Sequence, residues 1–285
     1  MHLYYWKSRR GNFGDDLNAD LWPRVFGEGF FDDDPTERFL GIGSILTDGH
    51  IPEDLQRLVV FGSGMRNGRG LARLPKDTHI AFVRGPNSAR ALEKMGYNAE
   101  YISDPAILMP RHFNDPTKQH SDRIGFVPYF KTSSPAFSAM LDDLGLVEIP
   151  TTLPVETFLS ELRTCSHVIC EAMHGAIVAD AYRIPWTGCR ILNVLEEGRT
   201  SRFKWSDWMQ SLAIDARIHE TLPILPMLLN RANRWRLQPI VERRTRQCFE
   251  RILARPDWHL STDANLTRAQ DRIQEKAYQL KTYHA

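Results

Sequence analysis

The sequence predicts an α/β protein of two doubly wound lobes followed by a helical C-terminal extension. Three observations predict it. Short runs of consecutive apolar residues end in glycine turns, segments of helical period alternate with those runs, and the alternation restarts after a polar stretch with two prolines at 110–122. Strands buried on both faces read as continuous apolar runs. Their alternation with helices implies parallel sheets covered on both sides.

The first lobe, residues 1–115, opens with LYYW as a short buried strand and the turn KSRRGNFGDD. A helix is expected from Asp16 to about Phe26, where Leu17, Leu21, Trp22, Val25 and Phe26 recur at helical spacing and Asp15 is the natural N-cap. RFLGIGSIL and RLVVFGSGM are each a strand running into a glycine turn, and HIAFVRG is a third such strand. PNSARALEKMG reads as a helix opened by Pro86 and closed by Gly96, and AEYISDPAIL as another short strand.

The second lobe, residues 120–205, repeats the alternation. RIGFVPYF, LVEIP and SHVICE read as strands, and SPAFSAMLDDLG, PVETFLSELRTC and AMHGAIVADAYRI as helices, the last stopped by Pro185. Residues 206–285 form the extension, mostly helical and without a convincing strand. Between Arg231 and Arg255 lie eight arginines and two glutamates, a local net charge of +6. That stretch suits either a solvated helix face or contact with an anionic membrane surface or a diphosphate-linked substrate.

Composition narrows the function. The chain has 285 residues, 42% of them hydrophobic, enough for a sizeable core and against wholesale disorder. Lys and Arg number 36 against 35 Asp and Glu, so the whole chain lacks the electrostatic footprint of a nucleic-acid binder. The first residues turn charged too soon for a signal peptide, and no window approaches 18 uninterrupted apolar residues; the expectation is a cytoplasmic protein. Cys165, Cys170, Cys189 and Cys248 form no CxxC and read as reduced, buried thiols.

Several residues are placed for chemistry. His174 follows a strand within the first turn of a helix, beside Glu171 and before Gly175, which lets a ligand approach the backbone. That helix end favours anions, and a histidine there can donate to phosphate or move a proton, unless it is simply a core histidine. NFGDD sets Asn12, Gly14, Asp15 and Asp16 at a turn entering a helix, too few ligands to argue for a metal. FGSGMRNGRG, with Ser63 and Gly64, could cradle a phosphate through backbone N–H groups although it lacks a P-loop ending. Arg84 closes a strand, where open α/β sheets bind ligands; it suits a carboxylate or phosphate, or a surface ion pair.

Taken in order, YYWKSRRGNFGDDLN, FLGIGSIL, VVFGSG, FVRGPNSARAL, SDPAIL, EAMHGAIVADAYRIPW and RFKWSDWMQSL resemble the polysaccharide pyruvyl transferase family, in its short bacterial branch of succinoglycan type. They cover residues 1–212, about three quarters of the chain. The resemblance implies a GT-B-like pair of Rossmann-like lobes that transfers pyruvate from phosphoenolpyruvate onto an exopolysaccharide sugar as a cyclic ketal. No further cofactor is implied. The acceptor is often still on a lipid diphosphate carrier, at the inner face of the cytoplasmic membrane. The family's His-Gly-Ala motif falls on His174, Gly175 and Ala176, and its donor-site arginine on Arg84. Many members carry Arg two residues before that histidine, where this chain has Ala172. Arg183, Arg190, Arg202 and Lys204 are the nearby cations, with Arg202 and Lys204 of RFKW the preferred replacement for phosphate. The same architecture would also serve a nucleotide-sugar glycosyltransferase or a non-catalytic sugar-binding subunit.

Overall fold

The computed structural model describes residues 1–113, 122–191, 199–221 and 234–284. The chain divides into two compact units, each built on one parallel sheet. Unit 1 contains Met1–Asp115, Arg202–Asp215 and Ser261–Ala285; unit 2 contains Pro116–Ser201 and Ala216–Leu260.

Unit 1 carries β1 (His2–Tyr4), α1 (Phe13–Phe26), β2 (Glu37–Leu40), β3 (Arg57–Phe61), β4 (Asp77–Phe82), α2 (Pro86–Glu93) and α3 (Met109–His112). The sheet order is β1-β2-β3-β4, all parallel, and Asp32 adds a parallel bridge to His2. Alternate residues of one strand feed opposite faces. Phe39 and Phe61 meet Trp22 and Phe26 of α1 at centroid distances of 5.2–5.5 Å. Leu40, Leu58 and Val60 instead join Val83 and Leu92 in the core cluster of α2. Each such fully buried side chain contributes about 1.5–3 kcal/mol of apolar transfer.

Unit 2 carries β5 (Ile124–Val127), α4 (Pro135–Asp143), β6 (Leu146–Glu148), α5 (Val155–Arg163), β7 (His167–Cys170), α6 (Met173–Ala181), β8 (Trp186–Arg190), β9 (Ile218–Glu220) and α8 (Arg234–Ala254). Its order is β6-β5-β7-β8-β9, again all parallel. Phe126, Ile169, Cys189 and Ile191 of the sheet pack with Phe137 and Leu141 of α4 and Phe249 and Ile252 of α8. The boundary between units falls inside α7 (Arg199–Ser211), after Ser201, and α9 (Asp263–His284) belongs to unit 1.

The structure departs from the sequence reading in four places. α1 begins at Phe13 with Asn12 at its N-cap position, so Asp15 is a first-turn residue rather than the cap. The expected strand at 99–108 is reduced to one isolated bridge, Val83 to Tyr101, and Pro105–Leu108 is a 3-10 turn opened by proline and capped by the Asp104 carboxylate. β8 was not foreseen: the mixed segment WTGCR lacks an apolar run, yet all five residues are buried. The region 206–285 contains a strand, β9, and its 202–215 and 261–285 stretches pack with unit 1 rather than forming a separate extension. Of the 110–122 linker, residues 114–121 lie outside the described residues.

Candidate functional site

In open parallel sheets, ligands bind beyond the carboxyl ends of the strands, where neighbouring connections leave in opposite directions. In unit 2 that switch lies between β5 and β7: the chain leaves β5 for β6 on one side and returns to β7 on the other. Two connections emerge there, residues 128–134 after β5 and Glu171–Ala172 after β7.

Glu171 organises both. Fully buried, its carboxylate accepts from the Tyr129 N–H (2.9 Å), the Thr132 hydroxyl (2.6 Å) and the Ile191 N–H (3.2 Å). One carboxylate thus ties the edges of β5, β7 and β8, and a bonded buried carboxylate holds a loop far better than an exposed one. The N–H groups of Glu171 and Ala172 both donate to the Val127 carbonyl (2.9 and 3.2 Å), fixing the turn into α6. His174 stands half-buried on the first turn of that helix, whose N-cap residue Ala172 offers no side-chain cap.

Gly175 has a different duty from the ligand approach expected of it. A Cβ there would lie 2.6 Å from Cγ1 of Val127, so its missing side chain lets α6 close on β5. Arg190, one of the nearby cations, pairs with Glu220 at 2.6 Å across β8 and β9, and Arg183 bonds the Asp180 carbonyl (3.4 Å) beyond the C-terminal end of α6.

The carboxyl edge of unit 1 gathers the remaining predicted residues. The Asn12 side-chain amide donates to Asp15, and its backbone N–H donates to Asp16 (2.9 Å). These two carboxylates therefore satisfy the start of α1, and Asp15 also abuts Gly43 beyond β2, where an added Cβ would lie 3.3 Å away. Gly14 is buried in the same turn. Among the described residues no group of three His, Cys, Asp or Glu side chains is placed to hold a metal. Asn18, which the sequence reading passed over, is buried with its oxygen accepting from Trp22 Nε1 and the Ile42 N–H, both at 2.8 Å. It stitches α1 to the glycine turn after β2.

Three N–H groups of the FGSGM segment already have partners within the protein. Gly62 N–H donates to Phe82, Gly64 N–H to Gly43 and Met65 N–H to the Ser88 hydroxyl, all at 2.9 Å, and the buried Ser63 hydroxyl lies 3.4 Å from the Gly43 carbonyl. Gly64 is glycine for a packing reason, since a Cβ would sit 2.3 Å from Cζ of Arg84.

Arg84 follows β4 as foreseen, yet it is neither a surface ion pair nor open to a substrate. It is fully enclosed, with Nε and Nη2 each 3.1 Å from Oδ2 of Asp207, Nη1 on the Ser44 hydroxyl (2.7 Å) and Nη2 on the Met65 carbonyl (3.3 Å). Asp207, equally buried, accepts further from the N–H groups of Asn87 (2.9 Å) and Ser88 (3.0 Å) and from the Ser88 hydroxyl (2.6 Å). It caps α2 and neutralises Arg84 in one contact, and Gly85 is glycine because a Cβ would lie 2.0 Å from the Asp207 carbonyl. Asp207 and Ser44 were not singled out from the sequence. Arg202 is exposed and Lys204 half-buried on the same helix, α7.

The predicted residues thus fall into two groups: Asn12, Gly14, Asp15, Asp16, Ser63, Gly64, Arg84, Arg202 and Lys204 in unit 1, and Glu171, His174 and Gly175 in unit 2. Comparison with known proteins bears on both. The family model described as polysaccharide pyruvyl transferase matches residues 51–191, from the approach to β3 through β8, which include Arg84 and His174. The chain is 34% identical over 224 residues to the succinoglycan biosynthesis protein ExoV of Rhizobium meliloti (strain 1021). That match covers 76% of this chain and 66% of the relative, just under two thirds of its length. No solved structure matches the chain. By this identity over three quarters of its residues and by the family match from β3 through β8, the chain is similar to the polysaccharide pyruvyl transferase family.

Proposed function

We propose that the protein transfers pyruvate from phosphoenolpyruvate to a sugar of an exopolysaccharide repeat unit, on a GT-B-like pair of Rossmann-like lobes. The reading rests on the family and on one observation. His174, inside the matched segment, sits on the first turn of α6 beside the β5/β7 switch, with the loop around it fixed by Glu171.

In this reading His174 delivers a proton to the methylene carbon of phosphoenolpyruvate, making C2 electrophilic. A sugar hydroxyl adds there, the C2–O bond to phosphate breaks with its electron pair leaving on phosphate, and a second hydroxyl closes the ketal. The two hydroxyl protons end on the new methyl group and on the released phosphate. A positioned proton donor contributes about 10²–10⁴ in rate. Arg202 and Lys204 are the cations assigned to the donor phosphate and carboxylate, taking the place left by Ala172. Arg84 becomes a positioning residue, because its guanidinium is spent on Asp207 and Ser44.

The acceptor is an oligosaccharide, in this proposal presented on a lipid diphosphate carrier at the inner face of the cytoplasmic membrane. Supporting that place, Arg243, Arg244, Arg251 and Arg255 are exposed on and just after α8, although Arg231, Arg234 and Arg236 fall outside the described side chains. Among the described residues no helix is long and apolar enough to cross a membrane.

The test is phosphoenolpyruvate-dependent release of phosphate in the presence of a saccharide acceptor. His174→Gln should unfold at the wild-type midpoint and lose at least a hundredfold in kcat; retained turnover would remove His174 from the chemistry.

A further inference from the structure

Unit 1 holds a concavity lined by none of the candidate site residues above. It is a groove of about 820 Å³ between α2, the extended segment 98–102, the C-terminal end of α7 and α9. We propose that this groove holds sugar units of the acceptor chain other than the sugar that receives pyruvate. The proposal rests on the acceptor being a saccharide, as argued above.

Its size falls within the 300–1,000 Å³ usual for small-molecule sites. Its chemistry decides the ligand class. Tyr101 lines the groove with 42% of its surface exposed, an aromatic plane of the kind against which the C–H face of a pyranose stacks. Around it stand the Asn98 and Asn265 amides, the Glu93 carboxylate and the Arg268 guanidinium, groups that pair with vicinal hydroxyls. The Asn265 amide nitrogen is held by the Leu212 carbonyl (3.1 Å), which directs its oxygen to a ligand's donors.

The charged groups of the groove are largely engaged within the protein. Arg272 and Lys276 share Glu100, the former at 2.8 Å, and Arg90 is turned onto Asn87 (2.6 Å) and Gln210 (3.3 Å). Arg268 and Glu93 carry opposite charges beside Tyr101 and the two amides, so the aromatic plane and the hydrogen-bonding groups set the ligand class. The groove is also preformed. Asn87 reaches Ser206 (3.2 Å) and Ser211 reaches Ser103 (2.9 Å), so α2 and the strand edge are both tied to α7. Ala213 closes that helix with φ +55°, a conformation rare outside glycine and held here by its N–H bond to the Gln210 carbonyl.

The probe is an array of immobilised bacterial exopolysaccharides and their mild-acid fragments, succinoglycan among them, read with the full-length protein. Wild type should bind at least one glycan, Tyr101→Phe should match it, and Tyr101→Ala should bind at least tenfold more weakly. Arg268→Ala should also weaken binding, and uridine diphosphate and phosphoenolpyruvate should not compete. Both positions are exposed, and unchanged unfolding midpoints verify the fold. Absence of any bound glycan, wild-type binding by both alanine variants, or displacement by uridine diphosphate would each overturn the groove assignment. Glycan binding lost in Tyr101→Ala alongside a wild type that releases no phosphate would keep the groove and remove pyruvyl transfer. Turnover with an unchanged acceptor KM in Tyr101→Ala would do the reverse.

Discussion

Replacing Asp207 by alanine removes a carboxylate that is fully buried and accepts from five donors: Nε and Nη2 of Arg84, the N–H groups of Asn87 and Ser88, and the Ser88 hydroxyl. What remains is a guanidinium with no exposure and no counter-charge, plus two orphan N–H groups at the start of α2. Breaking one side of a buried pair costs about 3–5 kcal/mol, a large share of the roughly 5–15 kcal/mol by which folded proteins are stable. At about 2–4 °C per kcal/mol for chains of this size, the unfolding midpoint should fall by about 6–20 °C. Thermal and urea unfolding followed by tryptophan fluorescence are the assays, since Trp22, Trp205 and Trp208 are all buried in unit 1. Arg84→Met/Asp207→Leu removes both charges and should cost clearly less than the sum of the two single changes. A loss below about 1 kcal/mol for Asp207→Ala, or strict additivity in the double variant, would refute the account of Arg84 as a neutralised positioning residue.

Three further outcomes follow from the geometry. Gly175→Ala places a Cβ 2.6 Å from Val127 and should destabilise unit 2 by about 1–3 kcal/mol, with Val127→Ala recovering part of the loss in the same urea titration. Burial, joined in all but His167 by neighbouring cations, holds His50, His79, His112, His167 and His219 below the ordinary histidine range. The unfolded chain therefore takes up protons first as pH drops through about 6.5, and stability measured from pH 7 to pH 5 should decline steadily; a flat profile contradicts the burial of these rings. Burial raises all four thiols, Cys170 and Cys189 most, so native protein should resist a thiol reagent at pH 8 and react at four sites once unfolded.

Most strands and their helices were legible because each buries both faces and so reads as an apolar run, as RLVVF and HVIC do. β8 was illegible for the opposite reason: Thr187, Gly188 and Arg190 are buried by neighbours far along the chain, not by their own polarity. The position of His174 could be read, since a strand, a turn and a helix start are local patterns. The partners of Arg84 could not, because Asp207 lies 123 residues away and nothing near either residue specifies the meeting. The signal available was the RFKWSDW segment itself, where Trp205 and Trp208 recur at helical spacing and mark the face that carries Asp207 inward. Gly64 and Gly175 read locally as room for a ligand, and a side chain from far along the chain packs where the Cβ of either would stand, a contact that no local pattern encodes.

The interleaved make-up of the two units also sets a timetable for synthesis. A ribosome delivers the sheet of unit 1 well before residues 202–215, which bring the counter-charge of Arg84, and before residues 261–285, whose Gln270 amide binds the Ile107 carbonyl at 2.7 Å. Unit 2 has all its strands and α8 once residue 260 is made, so the unit begun second is finished first. Until residue 207 emerges the nascent N-terminal sheet carries an unneutralised arginine beside its edge strand β4, and until α9 follows, the surfaces of α1 and Pro105–Leu108 that it covers stay bare, a state prone to chaperone capture and to aggregation when translation stalls before α9.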